Sequence, residues 1–218
     1  ARLNIGRQWG NGPQHTSSYN SLFANTPGLN VLWPSRPKEA YLYTKYMHNS
    51  DSPSIQMEHR WLFKTKDKIE NGLETTKLQT AAVYGDCSDI IILTYGDSLV
   101  EALKVKEKVD DRNISIICLT AFVGSRVIPE ELKLLIKNSN TLLVLDSSNY
   151  EYGLLQGVIG SLGEEGNLPK KIKVFSPPFI PVATAAKLVQ EYYPVCPSLI
   201  TYLRKTKLTA SVSEQYSF

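Results

Sequence analysis

Three short apolar runs set the tightest limit on how this chain can fold: IIILT at 90–94, ISIICL at 114–119 and TLLVL at 141–145. Each is apolar almost without interruption, so each reads as a strand buried on both faces. Stretches with helical spacing lie between them. Residues 98–109 space Leu99, Ala102, Leu103 and Val105 along one helix face. Residues 129–137 read as a second helix, and 150–162 as a third despite their glycines. A short fourth strand is expected at 173–175, and two closing helices at 183–191 and 197–205. Such strands alternating with helices specify an α/β unit, with a mainly parallel sheet and helices on both faces.

The first part of the chain is sparser. Residues 31–33 read as a strand stopped by Pro34, and 37–47 as a helix with Pro37 where a missing N–H is tolerated. Residues 54–58 alternate and read as another strand. From 64 to 88 the text is polar with weak periodicity. The expected organisation is a first domain at 1–70, a linker at 71–88, a second domain at 89–206 and a flexible tail at 207–218. Three strands and two helices within residues 1–63 make a thin core for an independent unit.

Composition narrows the class. Of 218 residues, 42% are hydrophobic and 21% charged, as in an ordinary globular protein. The net charge is +3, and the lysines are scattered rather than gathered into a stripe that would suit nucleic acid. Cys87, Cys118 and Cys196 are far apart and form no Cys-x-x-Cys pair, against both a disulfide framework and a zinc site. They read as small core or loop residues. No apolar run approaches the roughly 20 residues needed to cross a bilayer. No signal peptide is visible. The sequon Asn113-Ile114-Ser115 matters only in a secreted chain, and the cytoplasm is the expected location. Position 1 is Ala, so a processed, trimmed or longer parent chain is expected.

The stretch GNGPQHTSSYNSLFANTPG, residues 10–28, concentrates glycines and hydroxyls around one of only three histidines. Gly10-x-Gly12 is followed by Pro13 and not by the helix of a dinucleotide fingerprint, so that nucleotide reading fails. Glycines let backbone approach a ligand closely, and the imidazole of His15 can exchange protons in the useful range. A loop histidine bonded to nearby backbone is the competing reading of these residues.

Order and spacing add more. Residues 5–40 resemble the beta subunit of thiamine-diphosphate-dependent 2-oxo-acid dehydrogenases, of the pyruvate and branched-chain type. The matching pieces are Gln14-His15-Thr16, Pro27-Gly28, the strand ending at Trp33, and Pro34-Ser35-Arg36-Pro37. The segment PSIQMEHRWLF at 53–63 matches a later strand of that family, and DIIILTYGDSLVEAL at 89–103 its C-terminal transketolase-type domain. Ile180-Pro181 falls where the family carries a proline-containing loop.

This resemblance implies a partial pyrimidine-binding domain followed by a transketolase C-terminal-type domain. It implies a heterotetramer with an alpha subunit and a second beta subunit. Thiamine diphosphate lies at a subunit interface, its diphosphate held by alpha through Mg2+ and its aminopyrimidine embraced by beta. His15 is implied to face the reacting centre, assisting proton transfer and passage of the acyl group to a lipoyl-bearing acyltransferase. Gly12 and Gln14, with Gly10, are implied to shape the loop beside the cofactor. Thr16 or Ser17 is expected to cap the following helix.

The chain also departs from that pattern. The carboxylate that bonds the aminopyrimidine lies upstream of the histidine motif in the family, and no counterpart precedes His15 here, so another chain or segment is expected to supply it. A half-built sheet is expected to keep the chain from standing alone as a monomer. Some members hold potassium near positions matching Met47, Ser50 and Ser52; serines replace two of its oxygen donors, which counts against the ion, and no metal ligand is assigned. His48 and Asp51 read as a solvated helix end, and His59 as a strand-end histidine in a polar network. Glu58 and Arg60 form a candidate interface ion pair. In the second domain Ala121-Phe122-Val123 replaces an Asp-Leu-Arg turn, with Arg126, Asp146 and Gly153 as partial matches. Two other functions remain open: a non-catalytic assembly or regulatory module with this fold, and another transketolase-like thiamine enzyme.

Overall fold

The computed structural model describes residues 1–7, 10–70, 72, 78–86, 89–109, 113–124, 128–193 and 196–214. The first part runs through β1 (Arg2–Ile5), α1 (Gly12–Thr16), α2 (Asn20–Ala24), β2 (Asn30–Leu32), α3 (Pro37–Asn49) and β3 (Ser54–His59). A 3-10 turn follows at Arg60–Leu62. The second part comprises β4 (Ala81–Tyr84), β5 (Ile90–Tyr95), α4 (Ser98–Lys108), β6 (Ile114–Leu119), β7 (Ala121–Phe122), α5 (Glu130–Lys137), β8 (Thr141–Leu145), α6 (Leu154–Glu164), β9 (Lys171–Phe175), α7 (Ala186–Tyr192) and α8 (Cys196–Glu214).

Two sheets result. The first has the order β1-β3-β2-β7, and the second β4-β6-β5-β8-β9. Pairing is parallel except at β7, which lies antiparallel to β2, and β4, which lies antiparallel to β6. The three apolar runs are the three central strands of the second sheet, and β5 and β6 are buried at every position. Their side chains alternate between two layers. Ile91, Leu93, Ile117, Leu142 and Val144 meet α5 and α6. Ile92, Ile116, Leu143 and Leu145 meet α4 and α8 through Leu99, Ala102, Leu199 and Leu203. Burial on both faces is therefore what removed the period-2 pattern from these strands.

The thin first part is not packed by itself. Its Ile5, Val31, Trp33 and Met57 belong to the same apolar cluster as Ile91, Tyr95 and Leu154. Trp33 is fully buried, with Tyr95 and Phe122 edge-on at 5.7 and 5.1 Å.

Four expectations change. Residues 81–84, placed in a linker, form an edge strand of the second sheet, while residues 71, 73–77 and 87–88 lie outside the described residues. Residues 121–122 leave the second unit after Thr120 and add β7 to the first sheet, so the two units interlock. The tail expected to be flexible from 207 is helical in α8 as far as Glu214. The helix expected from 150 begins at Leu154. Asp146 is the reason: its Oδ1 accepts the Ser148 N–H at 2.7 Å and its Oδ2 the Leu155 N–H at 2.9 Å, so the intervening chain wraps around the carboxylate.

Candidate functional site

The two sheets meet through the carboxyl ends of their strands, where sites gather in open α/β sheets. His59 ends β3, Tyr95 ends β5 and Asp146 follows β8. The glycine-rich loop crosses this junction. Gly6 and Gly10 adopt φ of +78° and +65°, which glycine adopts without strain. Gly12, at +64°, opens α1, and a Cβ there would lie 2.8 Å from Cγ2 of Thr184 in the other unit. Gly12 is buried, whereas Gln14 and His15 are exposed. The glycines thus seat the loop on the second unit and leave the imidazole of His15 at the surface.

Thr16 and Ser17 do not cap α2. Thr16 Oγ1 donates to the Gly12 carbonyl, and Ser17 Oγ donates to the Pro13 carbonyl at 2.6 Å. Both close α1 from its C-terminal side, and α2 begins at Asn20, with Tyr19 as its N-cap residue and no side-chain cap bond. Below α1 lies a cavity of about 80 Å3 lined by Thr16, Ser17, Ser18, Ser147, Asn149 and Pro181, among others. Its hydroxyls and size suit water or a small polar group.

A buried hydrogen-bond chain ties the units together beside it. Trp33 Nε1 donates to Asn20 Oδ1 at 2.8 Å, and Asn20 Nδ2 donates to the Tyr95 hydroxyl at 3.0 Å. That hydroxyl donates to Asp146 Oδ1 at 2.8 Å, and Ser148 Oγ lies 2.5 Å away. Burial raises the Asp146 carboxyl, and the donated hydrogen bonds pull it back. Asn20 and Tyr95 escaped sequence reasoning. A polar residue in a loop and a tyrosine ending an apolar strand carry no sign that they will meet.

A second polar cluster surrounds His59. The ring is 2% exposed, packed under Gly6 and Gly96, with Nδ1 3.2 Å from Asp97 Oδ1. Asp97 and Glu101 flank Arg7 at 3.7 and 3.6 Å, and the Arg7 guanidinium stacks 4.5 Å over Trp61. Glu101 Oε2 also accepts the Cys196 N–H at the start of α8. His59 therefore sits among charged groups at the end of β3, yet neither of its ring nitrogens has a hydrogen-bond partner among the described residues. Glu58 turns to Arg2 across β1 and β3, with Nε–Oε1 at 2.5 Å, in place of the expected partner Arg60. Arg60 instead donates Nη1 to the carbonyls of Gly6 and His15.

Burial lowers the His59 pKa from its usual 6.5, Asp97 raises it, and Arg7 and Arg60 lower it further. The unfolded chain then binds a proton below about 6.5 that the folded chain refuses, so stability falls as pH drops through that range. A lower urea midpoint at pH 5 than at pH 7 is expected. His59→Gln should remove up to about 1.4 kcal/mol per pH unit of that slope; an unchanged slope would exclude His59 as the source.

The remaining expected positions stand apart from the junction. Ser50 Oγ accepts the Ser52 N–H at 3.2 Å and the Ser52 carbonyl accepts Ser54 Oγ at 3.0 Å, so these residues form a local turn after α3. His48 and Asp51 are exposed at the end of α3. Cys118 is buried beside Ser35 Oγ at 3.3 Å, and burial pushes its thiol up to about 12, so it is an inert core residue. Cys196 is also buried and free. Cys87 and Arg126 lie outside the described residues. Among the described residues no helix is long and apolar enough to cross a membrane.

Two mostly parallel sheets joined at their carboxyl ends, with a glycine loop crossing the junction, define an α/β protein of two interlocked units. Residues 80–199 match the C-terminal domain of transketolase, and the chain belongs to that family. Among curated proteins it is similar to the acetoin:2,6-dichlorophenolindophenol oxidoreductase beta subunit of Cupriavidus necator, 23% identical over 94% of this chain and 61% of that protein. The 2-oxoisovalerate dehydrogenase beta subunit of Bacillus subtilis is 26% identical over 85% of this chain and 58% of its own length. The pyruvate dehydrogenase E1 beta subunit of Staphylococcus aureus is 22% identical over 71% and 48%. The chain thus spans about half to three fifths of the length of these relatives. A solved split-gene transketolase chain, described as an inactive beta4 tetramer, shares the fold with a TM-score of 0.70 at 13% identity, covering 94% of this chain and 64% of that one.

Proposed function

We propose that this chain is a beta-type subunit, or the C-terminal portion of one, of a thiamine-diphosphate-dependent 2-oxo-acid dehydrogenase. The reaction is oxidative decarboxylation of a 2-oxo acid with acyl transfer to lipoate. The observation that carries this reading is His15: an exposed imidazole at the carboxyl ends of a parallel sheet, on a loop held in place by both units. Its role in this reading is proton transfer at the reacting centre. The Gly12 turn and the Thr16 and Ser17 hydroxyls hold the short helix that presents it.

Thiamine diphosphate, when bound, supplies the centre that stabilises the carbanion, and its aminopyrimidine needs a carboxylate partner. The described residues fit one part of that requirement. The imidazole is available, but Glu58, Asp97, Glu101 and Asp146 around the junction are already engaged by Arg2, Arg7, Lys104 and buried hydrogen bonds. The carboxylate therefore comes from another chain or segment, and this chain alone is inactive. The partners are an alpha subunit that holds the diphosphate through Mg2+, a second beta subunit and a lipoyl-bearing acyltransferase, in the cytoplasm.

His15→Ala in the reconstituted complex should lower turnover about 10²-fold or more, and an unchanged rate would remove His15 from the mechanism. The engaged carboxylates also favour a second reading, a non-catalytic assembly module. The split-gene transketolase chain described as an inactive beta4 tetramer agrees with a chain of this fold assembling without activity. Calorimetry that detects no thiamine diphosphate binding with every candidate partner present would select that module.

A further inference from the structure

We propose that Arg60 is the positioning residue for His15, gripping the glycine-rich loop at both ends; the catalytic meaning of that grip rests on the functional reading above. Arg60 opens the 3-10 turn directly after β3 and is 9% exposed. Its Nη1 donates to the Gly6 carbonyl at 3.3 Å, where β1 gives way to the loop, and to the His15 carbonyl at the other end.

The loop needs this grip for a physical reason. Helix α1 has 5 residues and no side-chain N-cap bond, far below the length at which a helix stands by itself. The His15 carbonyl is one of the terminal acceptors that such a helix leaves without an internal partner. A buried cation at that end satisfies the acceptor and favours the helix dipole. Thr16 and Ser17 secure carbonyls at Gly12 and Pro13, in the middle of the loop. Arg60 fixes the backbone of His15 itself, and hence the direction in which its Cβ and imidazole project. A guanidinium is planar and always charged, and its donors are fixed in a fork. Lysine at 60 keeps the charge without that geometry.

The test uses the assembled enzyme. Arg60→Lys is expected to lower kcat about 10- to 100-fold, as for a misplaced catalytic group, with KM changed less than about threefold. Arg60→Ala should regain part of the lost rate on addition of guanidinium ion. The His15 ring resonances, assigned by their loss in His15→Asn, should move in both Arg60 variants while those of exposed His48 stay in place. Rate loss that only follows the folded fraction, with unmoved His15 resonances and no guanidinium rescue, overturns the proposal. The functional reading fails separately: if His15→Ala turns over normally yet the His15 resonances still move in Arg60→Lys, the grip stands and the catalytic role of His15 does not.

Discussion

Gly6→Ala is expected to destabilise the protein by about 2–5 kcal/mol and to lower Tm by about 10 °C. Two costs combine. Gly6 sits at φ +78°, where an L side chain costs about 1–2 kcal/mol. Its new Cβ would also overlap Nδ1 of His59 and lie 3.0 Å from Cε1. The ring has nowhere to retreat, because a Cβ on Gly96 would already lie 3.4 Å from its Nε2 on the other side. Forcing a well-packed site apart adds about 1–3 kcal/mol. Adding His59→Ala to Gly6→Ala removes the overlap and leaves the backbone cost, so the two substitutions should be strongly non-additive. A Tm for Gly6→Ala equal to that of the parent would refute this packing.

Asp146→Ala is expected to cost a similar amount, about 3 kcal/mol or more. The carboxylate accepts from Ser148 N–H, Leu155 N–H and the Tyr95 hydroxyl, and it is 2% exposed. Each donor left buried without a partner costs about 1–3 kcal/mol. The same change frees the turn that starts α6 and the Tyr95–Asn20–Trp33 chain that joins the two units. Tyr95→Phe should cost less, about 1–3 kcal/mol, since it strands only the groups facing the phenol. Because both residues serve one network, Tyr95→Phe in the Asp146→Ala background should cost little more. Urea midpoints of the four proteins decide it; simple additivity would mean that the network is not a unit.

The parts of the fold legible in the sequence are those with strong local patterns. The runs at 90–94, 114–119 and 141–145 became the central strands, and Pro37 opened a helix of 13 residues. Short edge strands were not legible. β1 and β7 have 4 and 2 residues, and β4 reads AAVY with three half-buried side chains and an exposed Val83, too little for a period to show. His15 and its glycines stood out by spacing. Arg60 did not, since Glu58 two residues before it suggested an interface ion pair, and its partners are carbonyls that no side-chain pattern marks.

The sequence by itself determined which segments are buried on both faces, where α3 and α4 begin, and the loop that carries His15, because periodicity and proline placement act within a few residues of chain. Only the tertiary structure decided who meets whom at the junction: Gly6 over His59, Arg60 on His15, Asn20 on Tyr95, and β7 on the first sheet. A hydrogen bond or close contact requires atoms within about 3 Å, and that proximity exists between distant residues only after two sheets have packed on a shared core.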